Sequence, residues 1–400
     1  MKTQMGSTAR KLILGGFAVG TALLLASCGD KTHPRDTKEP AKGSQAVQLA
    51  DLIRPVYAVA FGVFFFVAGL LVFMMIKYRH HDDDDQPKQV EGSSRMELAW
   101  TIIPAVIMLG VGVWSVPTIL DISRKPKGEL LTTQVLASRI EKNETLIGTK
   151  IRVEVTGHRW WWEYRYPDLS GTGKGTGPLV IANELVLPAG VEAQIELKSA
   201  DVIHSFWLPK ISGKVDSIPG RQNLTKLKTD EVGVFYGQCA EFCGISHANM
   251  RLTLVTLDDA AFKDWAKRQI SIPSKPTGDV TSPAVRGYGL FVSKGCAGCH
   301  AISGYAQGNV GPNLTHLYDR SNFAGAVFQL NDENLRKWLR NPQKEKPGSL
   351  MVLPQALSED DITNLMAYLK TLKSCEDPTA SLAISGACTK PVPAPVASPA

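Results

Sequence analysis

Cys239-Ala-Glu-Phe-Cys243-Gly-Ile-Ser-His247-Ala-Asn-Met250 is the densest chemical signal in the chain. Upstream, His204 stands in Ser199-Ala-Asp-Val-Ile-His204-Ser-Phe-Trp. Two thiols, two imidazoles and a thioether are soft-to-borderline donors, a set that suits copper far better than magnesium or calcium. Two cysteines four apart on one loop can face each other across a small cluster and bridge two metals, with His204 closing the site from a neighbouring strand end. Taken alone, Cys-x-x-x-Cys reads equally well as an exported disulfide, and a single His or Met as a packed or surface residue. Agreement of all these positions with one plan favours the metal. Zinc is the better rival, but the Met and the distant His fit a zinc site poorly.

The flanking residues place this loop in a β domain. Ile151-Arg-Val-Glu-Val-Thr and Val191-Glu-Ala-Gln-Ile-Glu-Leu alternate apolar and polar, and Gly/Pro-rich breaks fall at 167–178, 188–190 and 218–220. Short strands with turn signals at such intervals predict a β sandwich or barrel. Residues 259–269 predict a helix that caps it, and 271–283, rich in Ser, Pro and Thr, a linker.

Toward the N-terminus the character changes. Pro55 to Ile76 and Leu98 to Leu120 carry no charge, and each meets the ~20 apolar residues a bilayer span needs. Before them, Lys2, Arg10 and Lys11 precede an uncharged run from Leu12 to Ser27, the pattern of a secretory signal. Its end, Leu25-Ala26-Ser27-Cys28, resembles the bacterial lipobox, which implies a lipidated Cys28. An exported N-terminus puts residues 29–50 outside the cell membrane, sends a helical hairpin in and back, and leaves everything after about 125 outside. Lys77, Arg79, Lys88 and Arg95 in the intervening loop agree, although Arg54, Arg124, Lys125 and Lys127 on the other flanks weaken the asymmetry. A single span would anchor as well, so a hairpin points to packing against a larger membrane partner.

Toward the C-terminus, Cys296-Ala-Gly-Cys299-His300 is the c-type haem attachment signature. Two thiols form thioethers to the haem and His300 is the proximal iron ligand. The helices expected around it are Ala284–Val292, Asp332–Arg340 and Ser358–Leu372, the last opening on the cap signal Ser-Glu-Asp-Asp. Of the two later methionines, Met351 sits in a loop bracketed by prolines and Met366 inside a helix, where Met is more often core. Met351 is therefore the expected sixth ligand, with His316 a rival. A Met/His pair raises the potential and leaves no open position for oxygen. Cys375 and Cys388 pair by elimination, a disulfide worth ~3 kcal/mol in the loop-entropy account, and a Pro/Ala-rich tail from 389 is expected to be disordered.

With these pieces assembled, the chain resembles subunit II of the haem-copper cytochrome c oxidases. The family motif, Cys-x-Glu-x-Cys-Gly-x-x-His-x-x-Met preceded by Asp-Val-x-His, is matched at every ligand position. The resemblance spans roughly 50–270 and implies a cupredoxin-like domain with a binuclear CuA centre. In it Cys239 and Cys243 bridge both coppers, His204 and His247 take one each, and Met250 is a weak ligand of one. The Glu241 carbonyl serves the other copper, and the Glu241 side chain would reach a magnesium ion at the subunit I interface. Gly157-His-Arg-Trp160-Trp161-Trp162-Glu-Tyr resembles the aromatic segment through which electrons come in, assigning that role to Trp160 and its neighbour Trp161; at least one ring of the three is expected to be core. Met96-Glu97-Leu-Ala-Trp100-Thr-Ile-Ile-Pro104 resembles the start of the second membrane helix, placing Glu97 at the mouth of a proton channel. Lys214-Val-Asp216-Ser-Ile-Pro-Gly-Arg221 also matches. Around the haem signature, Gly287-Tyr-Gly-Leu-Phe291 and Gly311-Pro312-Asn313-Leu314 resemble class I cytochrome c.

The whole reads as a multidomain caa-type subunit: signal 1–28, linker 29–50, transmembrane hairpin 51–125, all-β cupredoxin-like CuA domain 126–270, linker 271–283, all-α cytochrome c domain 284–375 and tail 376–400. The implied partners are subunit I, where dioxygen is reduced to water with proton pumping, subunit III, and cytochrome c or another c-type donor; the cofactors are CuA, covalent haem c and magnesium. The charge balance, 44 Lys+Arg against 38 Asp+Glu, is not gathered into one block and gives no argument for nucleic acid. A tether would raise the donor to about millimolar effective concentration. An electron-transfer subunit of another terminal reductase is the alternative. Nitrous oxide reductases need a second, His-rich cluster that eight histidines cannot supply. Quinol oxidases lose the copper ligands, and a copper carrier has no use for haem, the Trp segment or Glu97.

Overall fold

The computed structural model describes residues 41–78, 91–124, 129–170 and 178–374. The signal with Cys28, most of the loop between the membrane helices, Cys375, Cys388 and the tail lie outside the described residues.

Two long helices come first, α1 (Ser44–Lys77) and α2 (Ser94–Ser123). Both are apolar all round, which marks a buried or membrane-facing helix rather than an amphipathic one. Their Phe, Val, Leu and Ile side chains are exposed in the isolated chain, and each has the length and hydropathy to cross a bilayer. At 1.5 Å per residue α1 is ~51 Å long, well beyond a hydrocarbon core of ~30 Å. The excess lies at its N-terminus, which reaches back to Ser44, into the stretch read from hydropathy as a linker. Asp51 and Arg54 hide that part of the helix from a hydropathy scan. It is held by the β domain instead: Gln45 and Ala46 are buried, and the Ala46 amide donates to the Ile211 carbonyl at 3.2 Å. Gly43 is needed there because a Cβ would lie 2.2 Å from that carbonyl oxygen. At the end of α2 the Asp121 carboxylate accepts from Gln48 Nε2 (2.7 Å), and its carbonyl from Lys226 Nζ (2.9 Å). Ser44 of α1 and Ser123 of α2 thus mark the ends of the two helices that are fixed to the β domain.

After β1 (Glu129–Leu130) and a short helix α3 (Thr133–Glu141), two sheets face each other. One has the order β4-β3-β2-β6-β9, with β1 beside β2, and the other β5-β11-β10-β7-β8. Their ranges are β2 Thr149–His158, β3 Trp161–Ser170, β4 Pro178–Ala182, β5 Glu184–Pro188, β6 Glu192–Ser199, β7 His204–Trp207, β8 Val215–Ser217, β9 Asn223–Leu227, β10 Gly233–Cys239 and β11 Arg251–Leu257. The alternation read from sequence is the inward face: Ile151, Val153 and Val155 of β2 and Ala193, Ile195 and Leu197 of β6 lie in the core, where Trp162, Tyr164 and Tyr166 of β3 join them. The Tyr166 hydroxyl donates to the Val186 carbonyl and accepts from the Val186 amide, both at 2.9 Å, tying the sheets together. Helix α4 (Asp259–Gln269), capped by Asp258, covers one end with Phe262 and Trp265.

Residues 271–282 form no helix or strand. The last module holds α5 (Pro283–Ser293), α6 (Cys296–Cys299), α7 (Asp332–Arg340), α8 (Pro342–Glu345) and α9 (Glu359–Leu369). Ser358 and Asp361 form the capping box that opens α9. Helices α5 and α9 touch at Gly287, where a Cβ would sit 1.9 Å from the Asn364 carbonyl oxygen. Two short ladders, His300–Ile302 with Ala306–Asn309 and Asn322–Phe323 with Phe328–Gln329, are additions to the purely helical expectation. They are too short for periodicity to reveal.

The module packs directly on the β domain. The Ser321 amide and hydroxyl donate to Glu184, Asn322 Nδ2 donates to Thr253 Oγ1 at 3.0 Å, and Gln269 Nε2 to Asp319 at 2.9 Å.

Candidate metal and haem centres

The loop 240–250 joins β10 to β11, and β10 pairs with β7 through Cys239 and Phe206. That pairing carries His204, at the start of β7, to the cysteine loop. The two thiols lie 3.8 Å apart. Around them stand His204 Nδ1 at 3.9 Å from Cys239 Sγ, His247 Nδ1 at 3.5 Å from Cys243 Sγ, and Met250 Sδ at 3.8 Å from Cys243 Sγ. The Glu241 carbonyl oxygen is 3.2 Å from Cys239 Sγ. Donor atoms of His204, Cys239 and Cys243 all lie within 4.8 Å of one another. A soft donor set converging from two strands and one loop in a buried pocket fits a copper cluster.

Electrostatics favour thiolate here. The Cys239 thiol is held far below its usual range, chiefly by its contact with Cys243 against the opposing effect of burial, with His204 assisting; Cys243 is pushed up in return. The pair therefore gives up its first proton readily. His204 Nε2 faces Asp201 Oδ1 at 2.7 Å, which turns Nδ1 toward the sulfurs. Burial works to raise the Asp201 carboxyl, but His204 and the amides of Arg159 and Val202 together hold it at about 2. Sequence reading quoted this aspartate only as part of a motif; its spacing of three from His204 was the available signal.

The three tryptophans divide. Trp162 is fully buried, edge-on to His204 and Phe206, and is the core ring. Trp160 Nε1 donates to the Cys243 carbonyl at 3.0 Å. Trp161 stacks on His158, centroids 4.2 Å apart. Trp160 and Trp161 are only 7 % and 8 % exposed; Gly348 and Lys346 of the last module lie against Trp160.

A cavity of about 350 Å³ opens between these rings and the last module. Cys296, Cys299, His300 and Met351 line it, as do Trp160 and Lys346. The His300 Nδ1–H donates to the Pro312 carbonyl at 2.8 Å, leaving Nε2 for a metal. Gly311 keeps that ring in place, since a Cβ would come within 2.6 Å of His300 Cε1. Met351 Sδ accepts from Trp338 Nε1 at 3.2 Å. Thiols, an imidazole and a thioether around one apolar cavity fit a covalently held haem. Met366 is buried in the helical core and is not among the lining residues. His316 is also buried away from the cavity, its Nε2 near the Gln269 and Ser271 carbonyls at 3.1 and 3.0 Å.

Three family models match: the transmembrane domain of cytochrome c oxidase subunit II over residues 38–118, its periplasmic domain over 172–257, and cytochrome c over 284–373. The cytochrome c oxidase subunit 2 of Alkalihalophilus pseudofirmus is 34 % identical over 343 residues, covering 84 % of this chain and 90 % of that one. The chain belongs to the cytochrome c oxidase subunit II family. The subunit 2 of Bacillus subtilis is 31 % identical, covering 88 % of this chain and 95 % of its own length, and that of Bacillus sp. PS3 is 35 % identical, covering 72 % and 77 %. Subunit II here thus carries a fused cytochrome c domain, the arrangement of caa-type oxidases. It is a membrane protein and the electron-transferring part of a terminal oxidase, with a copper domain and a haem c domain.

Proposed function

We propose that Cys239, Cys243, His204, His247, Met250 and the Glu241 carbonyl hold the binuclear CuA centre, and that Cys296, Cys299, His300 and Met351 hold the haem. The observation that carries this reading is the convergence of the first set around one pair of sulfurs, one hydrogen bond away from a tryptophan that also lines the haem cavity. Bound there, the two groups supply one-electron carriage from a c-type donor toward subunit I, where dioxygen is reduced to water. The protein's own part is to pin ligands and exclude water. Asp201 sets the His204 tautomer, Pro312 sets that of His300, and Trp160 holds the Cys243 carbonyl.

The finer assignments follow the same reading. The modules face the outer side of the cell membrane, with Cys28 lipidated and the helix turn in the cytoplasm. Glu97, in the first turn of α2 at the end remote from the β domain, stands at the proton channel of subunit I. The Glu241 side chain, partly exposed on the copper loop, reaches magnesium at that interface. Subunit III and a cytochrome c donor complete the assembly. Absorption spectroscopy of the purified chain tests the core of this: c-type haem bands and a near-infrared CuA band are expected together, and Cys243→Ser removes only the second. Zinc at the cysteine loop, or no transition metal after reconstitution, refutes it.

A further inference from the structure

The seam between the two modules is buried, polar and centred on one lysine side chain. Lys346, in the loop after α8, is 3 % exposed. Its Nζ donates to the Trp160 carbonyl at 2.6 Å and to the Ala324 carbonyl at 2.8 Å. Trp160 belongs to the copper module and Ala324 to the cytochrome module, so one amine nitrogen ties together a backbone from each. Removing such a group from water is costly unless its hydrogens find acceptors. A haem domain that merely swung on a linker would gain nothing by it.

The surroundings are shaped for this contact. Gly325, at φ +79°, leaves the space in which a Cβ would lie 2.5 Å from Lys346 Nζ and 2.6 Å from the Trp160 oxygen. The Gly325 carbonyl accepts from the Arg251 amide at 2.9 Å. Ser246 Oγ donates to the Pro347 carbonyl at 2.5 Å. At Gly348, φ +81°, a Cβ would be 3.3 Å from the Trp160 ring. Lys346 and Trp160 both line the haem cavity, and Trp160 reaches on to Cys243. Two hydrogen bonds and one residue therefore link the cavity wall to a proposed copper ligand.

We propose that Lys346 is a positioning residue that locks the cytochrome module in one orientation over Trp160, and that this docked state, not a swinging tethered haem, transfers the electron. The proposal rests on the copper and haem assignments above. One electron leaves the reduced haem and enters the oxidised copper pair; no bond forms and no proton moves. Because the docked module lies against Trp160 and shares with it and Trp161 one cavity wall, an outside donor meets the cytochrome module rather than the copper face.

The test uses the complete oxidase with Lys346→Met and, separately, Gly325→Ala, which obstructs the same contact without changing charge. An electron is injected photochemically into the haem, and its passage to copper is followed after both spectra and midpoint potentials have been recorded. In Gly325→Ala both potentials stay at wild-type values while the rate falls by about tenfold or more, as loss of fixed geometry predicts, and becomes sensitive to solvent viscosity. In Lys346→Met the rate falls by more than any change in haem potential accounts for. A wild-type rate in either variant with both cofactors bound overturns the proposal. Hydrogen exchange of the full chain gives a readout that needs no cofactor. The Arg251 amide should exchange faster in both variants, and unchanged protection also overturns the lock. A wild-type chain lacking the CuA band would instead refute the ligand assignment, a failure that the exchange measurement keeps separate.

Discussion

Asp201 carries the sharpest prediction for the copper site. Its Oδ1 faces His204 Nε2 and the Val202 amide, both at 2.7 Å, and its Oδ2 the Arg159 amide at 2.7 Å. Held at about 2, the carboxyl stays ionised wherever an oxidase works. It fixes the His204 tautomer with Nδ1 toward the sulfurs and increases the basicity of that nitrogen. Asparagine has one acceptor oxygen where aspartate has two. Asp201→Asn can keep the His204 side but must release the Arg159 amide, and it loses the negative charge. Asp201→Ala loses every one of these contacts. Losing such a partner of a metal-binding histidine costs ~10- to 100-fold in affinity, or ~1.4–2.8 kcal/mol. The expected order is wild type, then Asn at the low end of that loss, then Ala at the high end. Copper competition against a chromophoric chelator, read at the near-infrared band with the haem bands as internal reference, measures it. Affinities of both variants indistinguishable from wild type would show that His204 needs no anchor and refute the reasoning.

Four further outcomes are expected. Trp160→Phe leaves the buried Cys243 carbonyl without its donor and should destabilise the copper module by ~1–3 kcal/mol, read from the denaturant midpoint. Gly287→Ala forces a Cβ into the Asn364 carbonyl and should cost the cytochrome module ~1–3 kcal/mol or more, seen as a lowered melting temperature of the haem domain. Gly311→Ala should displace the His300 ring and alter the haem absorption spectrum while the haem stays covalently attached. Burial pushes the Glu184 carboxyl up, against the lowering effect of the Ser321 hydrogen bonds and Arg320. The folded chain then binds more protons than the unfolded chain between the ordinary and the raised value. This stabilisation is complete below the ordinary carboxylate pKa and is lost as pH rises through the raised one; Glu184→Gln should flatten that slope in a pH series of unfolding midpoints.

The copper loop and the haem signature were legible because their chemistry is local. Five of the proposed metal donors fall within 239–250, and Cys296, Cys299 and His300 are almost contiguous. Short spacing limits where side chains can go, so residue type and interval carry most of the information. The inward alternation of β2 and the cap at Ser358 were readable for the same reason. The start of α1 was not, because Ser44 to Arg54 is helical through contacts with Ile211 and Asp121 rather than through hydropathy.

What His316 does and how the two modules meet were decided by tertiary structure. Lys346 and Trp160 are separated by 186 positions, and Ser321 and Glu184 by 137. No spacing rule reaches across such intervals, and a lysine in a polar loop reads as one more solvated charge. Only the packed chain removes it from water and supplies two carbonyls from different modules. The sequence alone thus determined which groups this oxidase subunit can bind, because ligand chemistry is written in neighbouring residues. How the cytochrome module stands relative to the copper module was settled by long-range packing, because burial and hydrogen-bond partners exist only once distant segments meet.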